Sequence, residues 1–310
     1  MALSSVHAME RLLFFTLLQL AVIVLAARAG GALAQRWGQS AVVGEILVGV
    51  LLGPSLFGVI APQAFETVFR STPAEPLTLL SQVGLLLLMF QIGLEFDFSH
   101  LAQRVHRRTV WAVAAAGLAA PFAIGAALGA WMPREIAGMT TYQLGIFAIF
   151  GGFLVGVLLH RETAFVHAWH ARVGSFVNVF FVPIFFTLTG LRTDLGALHD
   201  GSAWGWCVLL IALATLAKLG ACYLAARAVR LDSMRARIIG VLMNTRGLME
   251  LIVINVGLEM GMIGREVFTM LVLMALASTV ITSPALRRWL PRLQPHGEAA
   301  GAVGADARHP

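Results

Sequence analysis

Charged side chains are scarce in this sequence. Only 12% of its 310 residues are Asp, Glu, Lys or Arg, whereas 58% are hydrophobic. A soluble globular domain carries roughly 25% charged residues, so the composition excludes an ordinary soluble fold. Several apolar runs reach about 20 residues, the length at which a helix crosses the hydrocarbon core of a bilayer. We therefore predict an all-α polytopic membrane protein.

Reactive and metal-binding groupings are also missing. Cys207 and Cys222 both lie in apolar runs, where they are expected to pack as small side chains rather than form a disulfide or bind a metal. His160, His167 and His170 are loosely spaced and are interpreted as part of a solvated loop. No catalytic triad, paired catalytic acids or nucleotide-binding glycine motif is present. The sequence therefore predicts no enzymatic activity, no cofactor, no bound metal and no nucleotide.

Hydropathy divides the chain into about nine membrane spans. They are predicted at 11–35, 41–61, 77–97, 107–132, 140–160, 171–192, 203–228, 234–259 and 264–290. Together they form one transmembrane domain over 1–290, and the tail at 291–310 is predicted to be disordered because it is rich in Gly, Ala and Pro. The first span also resembles a cleaved signal peptide, although its apolar run is long for one.

The arginines indicate the orientation of the chain. Alternate loops carry five arginines on one side and fifteen on the other. Positive charge is retained on the cytoplasmic side of a membrane, so the N-terminus is predicted outside and the C-terminus in the cytoplasm. The formal charge of +6 comes from these short loops and does not indicate a nucleic-acid partner.

An internal repeat links the two halves of the chain. Residues 44–52 (GEILVGVLL) and 151–159 (GGFLVGVLL) are identical at seven of nine positions, and 93–97 (GLEFD) resembles 190–194 (GLRTD). By the span count, the matching spans cross the membrane in opposite directions. This pattern is typical of the inverted-topology repeats of secondary transporters. We predict a partial first repeat at 11–132 and a second repeat at 140–290.

The eighth span carries the candidate site. Asn244, Thr245, Arg246, Gly247 and Glu250 interrupt its apolar run. A charge at membrane depth costs about 2.5–3.5 kcal/mol on insertion scales, so the charges are expected to serve a function. Arg246 and Glu250 can pair on one helix face, and Gly247 permits the helix to open. The alternative is a self-neutralised pair that only stabilises the bundle.

Lys218 is the third ionisable residue predicted to lie deep in the membrane. In a proton-coupled exchanger, a buried carboxylate binds either the proton or the cation, and a buried Lys competes with the cation for that carboxylate. Asn and Thr at a helix break add neutral oxygen ligands. Lys218 has a second interpretation, as a residue that snorkels to the interface.

Several long segments resemble the monovalent cation:proton antiporter-2 family, in particular its Kef-type and plant cation/H⁺ exchanger-like members. The similar segments are 42–58, 85–97, 148–162, 182–195 and 241–263. The resemblance implies exchange of Na⁺ or K⁺ against H⁺ by a homodimer, in a fold of about thirteen helices with two broken helices crossing at mid-membrane. It also implies that 245–247 and Glu250 belong to the second broken helix, and that Lys218 faces the ion site.

The chain departs from the family pattern in its middle. Family members continue after a helix like 107–132 with the first broken helix and a helix that carries the ion-binding Asp, but here 131–141 leads almost directly into the fifth span. We therefore predict that about four helices of the family layout are missing, an even number that preserves the orientation of the remaining spans. The chain resembles an incomplete antiporter.

Three functional hypotheses follow. The first is Na⁺ or K⁺ exchange against protons in a bacterial inner membrane, with Glu250 as the carboxylate, Arg246 orienting it, Lys218 as competing charge, and Asn244 and Thr245 as ligands. The second is a non-transporting remnant or a partner subunit of a complete antiporter. The third is an inverted-repeat carrier for an organic anion, which the basic residues Lys218 and Arg246 without a nearby Asp permit.

Overall fold

The computed structural model describes residues 2–71, 73–95, 145–245 and 247–293. Every regular element in these ranges is helical, as expected for a chain that must satisfy its backbone hydrogen bonds inside lipid. The helices are α1 (Ala2–Arg36), α2 (Ala41–Leu52), α3 (Phe57–Ile60), α4 (Pro62–Phe65), α5 (Glu75–Glu95), α6 (Gly145–Leu159), α7 (Thr163–Trp169), α8 (Val182–Leu191), α9 (Gly201–Ala228), α10 (Ser233–Asn244), α11 (Leu248–Glu259) and α12 (Arg265–Trp289). Short π-helical and 3-10 turns join some of them.

Seven helical segments of the described chain are long and apolar enough to cross a membrane. They are Met9–Arg36, Ala41–Ile60, Glu75–Glu95, Val177–Ala197, Gly201–Ala228, Ser233–Glu259 and Arg265–Trp289. They match seven of the predicted spans and confirm an integral membrane protein. The predicted span at 107–132 lies outside the described residues, and α6 is the described part of the predicted span at 140–160.

The segment around His167 differs from the prediction. It is helical as α7, where the sequence indicated a loop, and continues into a π-helical turn at His170–Gly174 that leads into the predicted span at 171–192. The Trp169 ring packs at 4.6 Å from the Phe90 ring of α5, in an edge-on contact. This aromatic contact holds the segment against α5. The histidines and arginines that lower the local hydropathy lie on a helix that remains anchored by its apolar residues.

Helices α9 and α10 form an antiparallel hairpin. The turn between them contains Arg230, with a positive φ of 63°, and Asp232, whose side chain caps α10 by accepting a hydrogen bond from the Met234 N–H at 2.9 Å. A Cβ on Gly240 of α10 would lie 2.9 Å from the Leu219 carbonyl oxygen of α9. This close approach fixes how the two helices are aligned along their length.

The repeat found in the sequence is present as two equivalent helix crossings. A Cβ on Gly49 of α2 would lie 2.9 Å from Cα of Gly190 in α8. A Cβ on Gly93 of α5 would lie 3.0 Å from Cα of Gly156 in α6. The sequence repeat pairs Gly49 with Gly156 and Gly93 with Gly190. Exchanging the repeats therefore converts one crossing into the other.

The directions of these helices are opposed in the way that an inverted repeat requires. Ser55, just after α2, accepts a hydrogen bond at 3.0 Å from the Leu195 N–H, just after α8, so α2 and α8 end on the same side. Arg192, at the end of α8, donates to Thr78 at the start of α5, at 2.9 Å. Helices α5 and α8 are therefore antiparallel, although they are equivalent in the repeat. The exact partition into 11–132 and 140–290 stays a prediction, since residues 96–144 lie outside the described ranges.

The largest apolar cluster lies where the helices of both repeats meet the last two spans. It buries side chains from α2, α5, α8, α11 and α12, among them Ile46, Met89, Phe185, Phe186, Leu251, Phe268 and Val272. Because α11 contributes to this cluster, the second half of the broken span is held by the same core as the repeat helices.

Candidate functional site

The eighth span is interrupted at its middle. Helix α10 ends at Asn244, Thr245 adopts φ −59° and ψ 121°, Gly247 adopts φ −133° and ψ −162°, and α11 begins at Leu248. These are extended conformations, so the chain leaves the helix and re-enters it within one segment, Ser233–Glu259. No described atom lies within 4 Å of a Cβ built on Gly247. Among the described residues, none packs against the break at Gly247.

Two helix ends face this break. The carboxyl end of α10 carries partial negative charge and the amino end of α11 carries partial positive charge, because the terminal carbonyl and N–H groups lack partners within the helix. In transporters, ends of this kind provide ion ligands without a formal charge. The geometry of 244–248 can therefore bind a cation on the α10 side and stabilise a carboxylate on the α11 side.

Asn244 provides a buried oxygen with no partner in the described structure. Its side chain is 1% exposed, and Oδ1 receives no hydrogen bond from any described residue. A buried polar atom without a partner costs about 1–3 kcal/mol. An amide oxygen left in this state beside a helix break is suited to bind a desolvated cation.

Thr215 of α9 is a residue that the sequence analysis missed. Its Oγ1 is also buried without a hydrogen bond to the described residues. Leu219 of α9 lies beside Gly240 of α10. Thr215 lies one turn before Leu219, and Asn244 lies one turn after Gly240. Because the two helices are antiparallel, Thr215 and Asn244 lie at the same height along the hairpin. Hydropathy gave no signal for Thr215, because a hydroxyl in an apolar helix usually bonds its own backbone.

Lys218 is half-buried on α9, three residues from Thr215. Residues three apart lie on neighbouring positions of one helix face, so the ammonium group belongs to the same side of α9. No carboxylate among the described residues lies within ion-pair distance of Lys218. The positive charge therefore lies near the break without a described acidic partner.

The remaining predicted site residues lie on the α11 side. Glu250 is half-buried in the first turn of α11, where the amino end of the helix favours a negative charge. Thr245 and Gly247 form the break itself. Arg246 lies outside the described residues. The structure thus gathers Asn244, Thr245 and Gly247 at one point, with Glu250 one turn beyond them.

A second polar cluster, which the sequence analysis did not identify, lies at the other end of α11. Arg192 donates to Glu259 at 2.7 Å, and Gln82 donates to the other carboxylate oxygen of Glu259 at 2.8 Å. Asn255 donates to Thr189 at 2.8 Å. Gln82, Arg192, Asn255 and Glu259 border a cavity of about 470 Å³ between α5, α8 and α11. In the sequence Arg192 is one of the arginines at the ends of the predicted spans, and nothing local in sequence pairs it with Glu259.

Comparison of the amino-acid sequence with known proteins identifies the family of this chain. The sequence matches the model of the family described as "Sodium/hydrogen exchanger, transmembrane" over residues 21–147 and again over residues 136–291. It is 28% identical to a Na(+)/H(+) antiporter of Synechocystis sp. over 401 aligned positions, which cover 90% of this chain and 98% of that protein. It is 24% identical to a Na(+)/H(+)-K(+) antiporter of Bacillus cereus over 382 positions, 87% of this chain and 95% of that protein.

A eukaryotic relative matches over a shorter stretch. The chain is 37% identical to the K(+)/H(+) antiporter 1 of Saccharomyces cerevisiae over 149 residues, which are 48% of this chain and 17% of that protein. The similarity to this yeast protein therefore covers a small part of its length.

Proposed function

Because the chain belongs to the sodium/hydrogen exchanger family of transmembrane proteins, we propose that it exchanges a monovalent cation, Na⁺ or K⁺, for protons across a membrane. The observation that carries the proposal is the break at 244–248 with the unpartnered Asn244 oxygen beside it. Backbone and side-chain polarity of this kind at membrane depth is tolerated where it lines a pathway. The relatives described above are Na(+)/H(+), K(+)/H(+) and Na(+)/H(+)-K(+) antiporters, which supports the same exchange.

We assign a role to each residue of the site. Glu250 binds the proton or the cation, and the amino end of α11 stabilises its charged form. Asn244 and Thr245 supply neutral oxygens, and Gly247 lets the helix open. Arg246 orients Glu250 from four residues away. Lys218 competes with the cation for the carboxylate, because its ammonium group is a compact positive charge near the break.

We further propose that the middle of the chain lacks helices that its relatives contain, including one with an ion-binding Asp. The alignment with the Synechocystis protein spans 401 positions, more than the 310 residues of this chain. The two family matches also meet at 136–147. A site built without that Asp requires Glu250, or a group from a second subunit, to carry the charge.

The arginine distribution supports an orientation with the N-terminus outside and the C-terminus in the cytoplasm of a bacterial inner membrane. A homodimer in that membrane is the expected assembly for the family. Labelling of single cysteines placed at Gly201 and Ser40, both exposed, with a reagent that does not cross the membrane, tests the orientation. The cysteine at 201 should react from the outside, and the cysteine at 40 only after permeabilisation.

Proton movement by the pure protein tests the proposed exchange. Proteoliposomes are loaded with a pH-sensitive dye, and a Na⁺ or K⁺ gradient is imposed. We expect a cation-dependent pH change, as for the Synechocystis relative measured in parallel. No pH change for this chain, in liposomes where the relative works, would refute independent transport.

The alignment gap favours one second candidate, a partner subunit that does not transport by itself. In that case the purified chain is inactive, but it co-purifies with a complete antiporter and changes the activity of that protein in the same liposomes. An inactive chain with no such effect would refute both proposals.

A further inference from the structure

Glu45 is a buried carboxylate that the proposed site does not use. It lies in the second turn of α2, inside the segment Ala41–Ile60. Its residue surface is 7% exposed, and Oε2 receives no hydrogen bond from the described residues. Burial of an unpaired charge is very costly, so a carboxylate kept at this position calls for an explanation.

The surroundings of Glu45 are mostly small and apolar. Its Oε1 lies 3.4 Å from the position of a Cβ built on Gly31, which directs the side chain toward α1. Thr187 of α8 donates to the Glu45 backbone carbonyl at 3.3 Å and therefore does not serve the carboxylate. The described groups thus offer no ring of oxygen ligands for a metal cation, whereas a proton requires the carboxylate alone.

Few charges face Glu45. On α1, the positive charge of Arg28 acts on it from an exposed position. Helix α8 has no ionisable side chain, and α2 has none besides Glu45. At the end of α12, Arg287 lies against Gly38 in the turn before α2. Protonation of Glu45 removes its buried negative charge, whereas the positive charges of the two arginines favour the deprotonated carboxylate.

Packing alone does not explain Glu45. Residue Gly152 is equivalent to it in the repeat, and a Cβ on Gly152 would lie 3.0 Å from the Leu86 carbonyl oxygen. One of the two equivalent crossings therefore forms with no side chain at this position. The carboxylate is an addition to the first repeat and not a requirement of the crossing.

We propose that Glu45 is a second proton-binding carboxylate, which takes up a proton from the proposed cytoplasmic side and releases it again during exchange. Its involvement in exchange rests on the proposed function. Its proton binding does not, since that depends only on the geometry between α1, α2 and α8.

Infrared spectroscopy of the reconstituted protein tests proton binding directly. The C=O band of a protonated carboxylic acid is recorded as the pH is lowered, for the wild type, Glu45→Gln and Glu66→Gln. Glu66 is the matched control because its carboxylate is exposed and paired with Arg70 at 2.9 Å. We expect a pH-dependent band that Glu45→Gln lacks and Glu66→Gln retains.

Two results would overturn the proposal. One is a set of pH-dependent bands that is the same in Glu45→Gln and wild type. The other is a Glu45 band that stays constant over the whole pH range, since a group that never titrates cannot exchange a proton. If Glu45→Gln does not fold, Glu45→Asp keeps the carboxyl group and should shift the band.

Transport measurements connect the group to exchange. We expect Glu45→Gln to slow cation-driven proton flux about tenfold, equivalent to about 1.4 kcal/mol, and to change its pH profile, with Glu66→Gln equal to the wild type. An unchanged rate and profile would refute the role in exchange. If the wild type moves no protons, the proposed function fails, and the infrared result still decides whether Glu45 binds a proton.

Discussion

Gly49 of α2 lies against Gly190 of α8 so closely that neither position has room for a methyl group. A Cβ on Gly49 would lie 2.9 Å from Cα of Gly190, and a Cβ on Gly190 would lie 2.8 Å from Cα of Gly49. The same relationship recurs between Gly93 and Gly156. Close backbone approach at small residues is a general means of helix association in membranes. Here it joins helices from the two repeats.

Replacement of these glycines should destabilise the fold. We expect Gly49→Ala or Gly190→Ala to lose about 1–3 kcal/mol, the usual cost of overpacking, because backbone atoms must move apart. Thermal unfolding in detergent, followed by tryptophan fluorescence, measures the loss. Gly220→Ala is the matched control, since a Cβ there meets no described atom within 4 Å. Equal unfolding temperatures for Gly49→Ala and Gly220→Ala would contradict the crossing.

The ion pair between Arg192 and Glu259 should couple α8 to α11. Both side chains are partly buried and shared with Thr78 and Gln82. A double-mutant cycle with Arg192→Gln and Glu259→Gln should give a coupling energy within the range of about 0.5–3 kcal/mol known for contacting residues.

The exposed pair of Arg70 and Glu66 serves as the control for that cycle. It is an i,i+4 helix pair with both side chains 57% exposed, and such pairs contribute about 0.3–0.5 kcal/mol. If the coupling energy of Arg192 and Glu259 is no larger than that of this surface pair, the second polar cluster does not stabilise the packing of α11 against α8.

Much of the architecture could be predicted because it depends on patterns local in the sequence. Uninterrupted apolar runs gave the spans, and the polar residues at 244–247 coincide with the helix break because they interrupt such a run. The repeat could be recognised in the sequence because both helix crossings require glycine at the equivalent positions Gly49 and Gly156. The loop predicted around His167 was wrong, because residues 163–169 are helical. The contact between Trp169 and Phe90 that anchors this helix joins residues far apart in sequence.

The details of the sites could not be predicted, since they depend on how helices rotate and align. Hydropathy does not distinguish Asn244, whose oxygen is unpartnered, from Asn255, which is bonded to Thr189. It likewise does not show that Thr215 lies level with Asn244. The Arg192 and Glu259 pair joins residues 67 positions apart, a separation that only the packed structure reveals.

Asn244 and Asn255 should respond differently to alanine. Asn244→Ala should raise the cation concentration for half-maximal exchange about tenfold, equivalent to about 1.4 kcal/mol, with little loss of stability, since its oxygen accepts no described hydrogen bond. Asn255→Ala should instead lose about 1–3 kcal/mol of stability, because it removes hydrogen bonds to Thr189 and Arg192. The opposite assignment of effects would contradict the site at the break.

The ammonium group of Lys218 should compete with the cation for the Glu250 carboxylate. We expect Lys218→Gln to lower the half-saturating cation concentration about tenfold, equivalent to about 1.4 kcal/mol, because the competitor is removed. Lys218→Arg keeps the charge and should stay closer to the wild type. Rates measured over a cation series in proteoliposomes test this. A change of the same size in both variants would indicate a packing role for Lys218.

The proposed exchange requires that Glu250, the carboxylate beside the broken helix, carries the exchanged charge. Its most direct test is the cation-driven proton flux of Glu250→Gln in proteoliposomes, beside the wild type and Glu162→Gln, whose side chain is exposed before α7. Folding of each variant is checked by its elution as a single species. We expect flux in the wild type and Glu162→Gln, and background flux alone in a folded Glu250→Gln. Undiminished flux in Glu250→Gln would contradict the proposed role of Glu250.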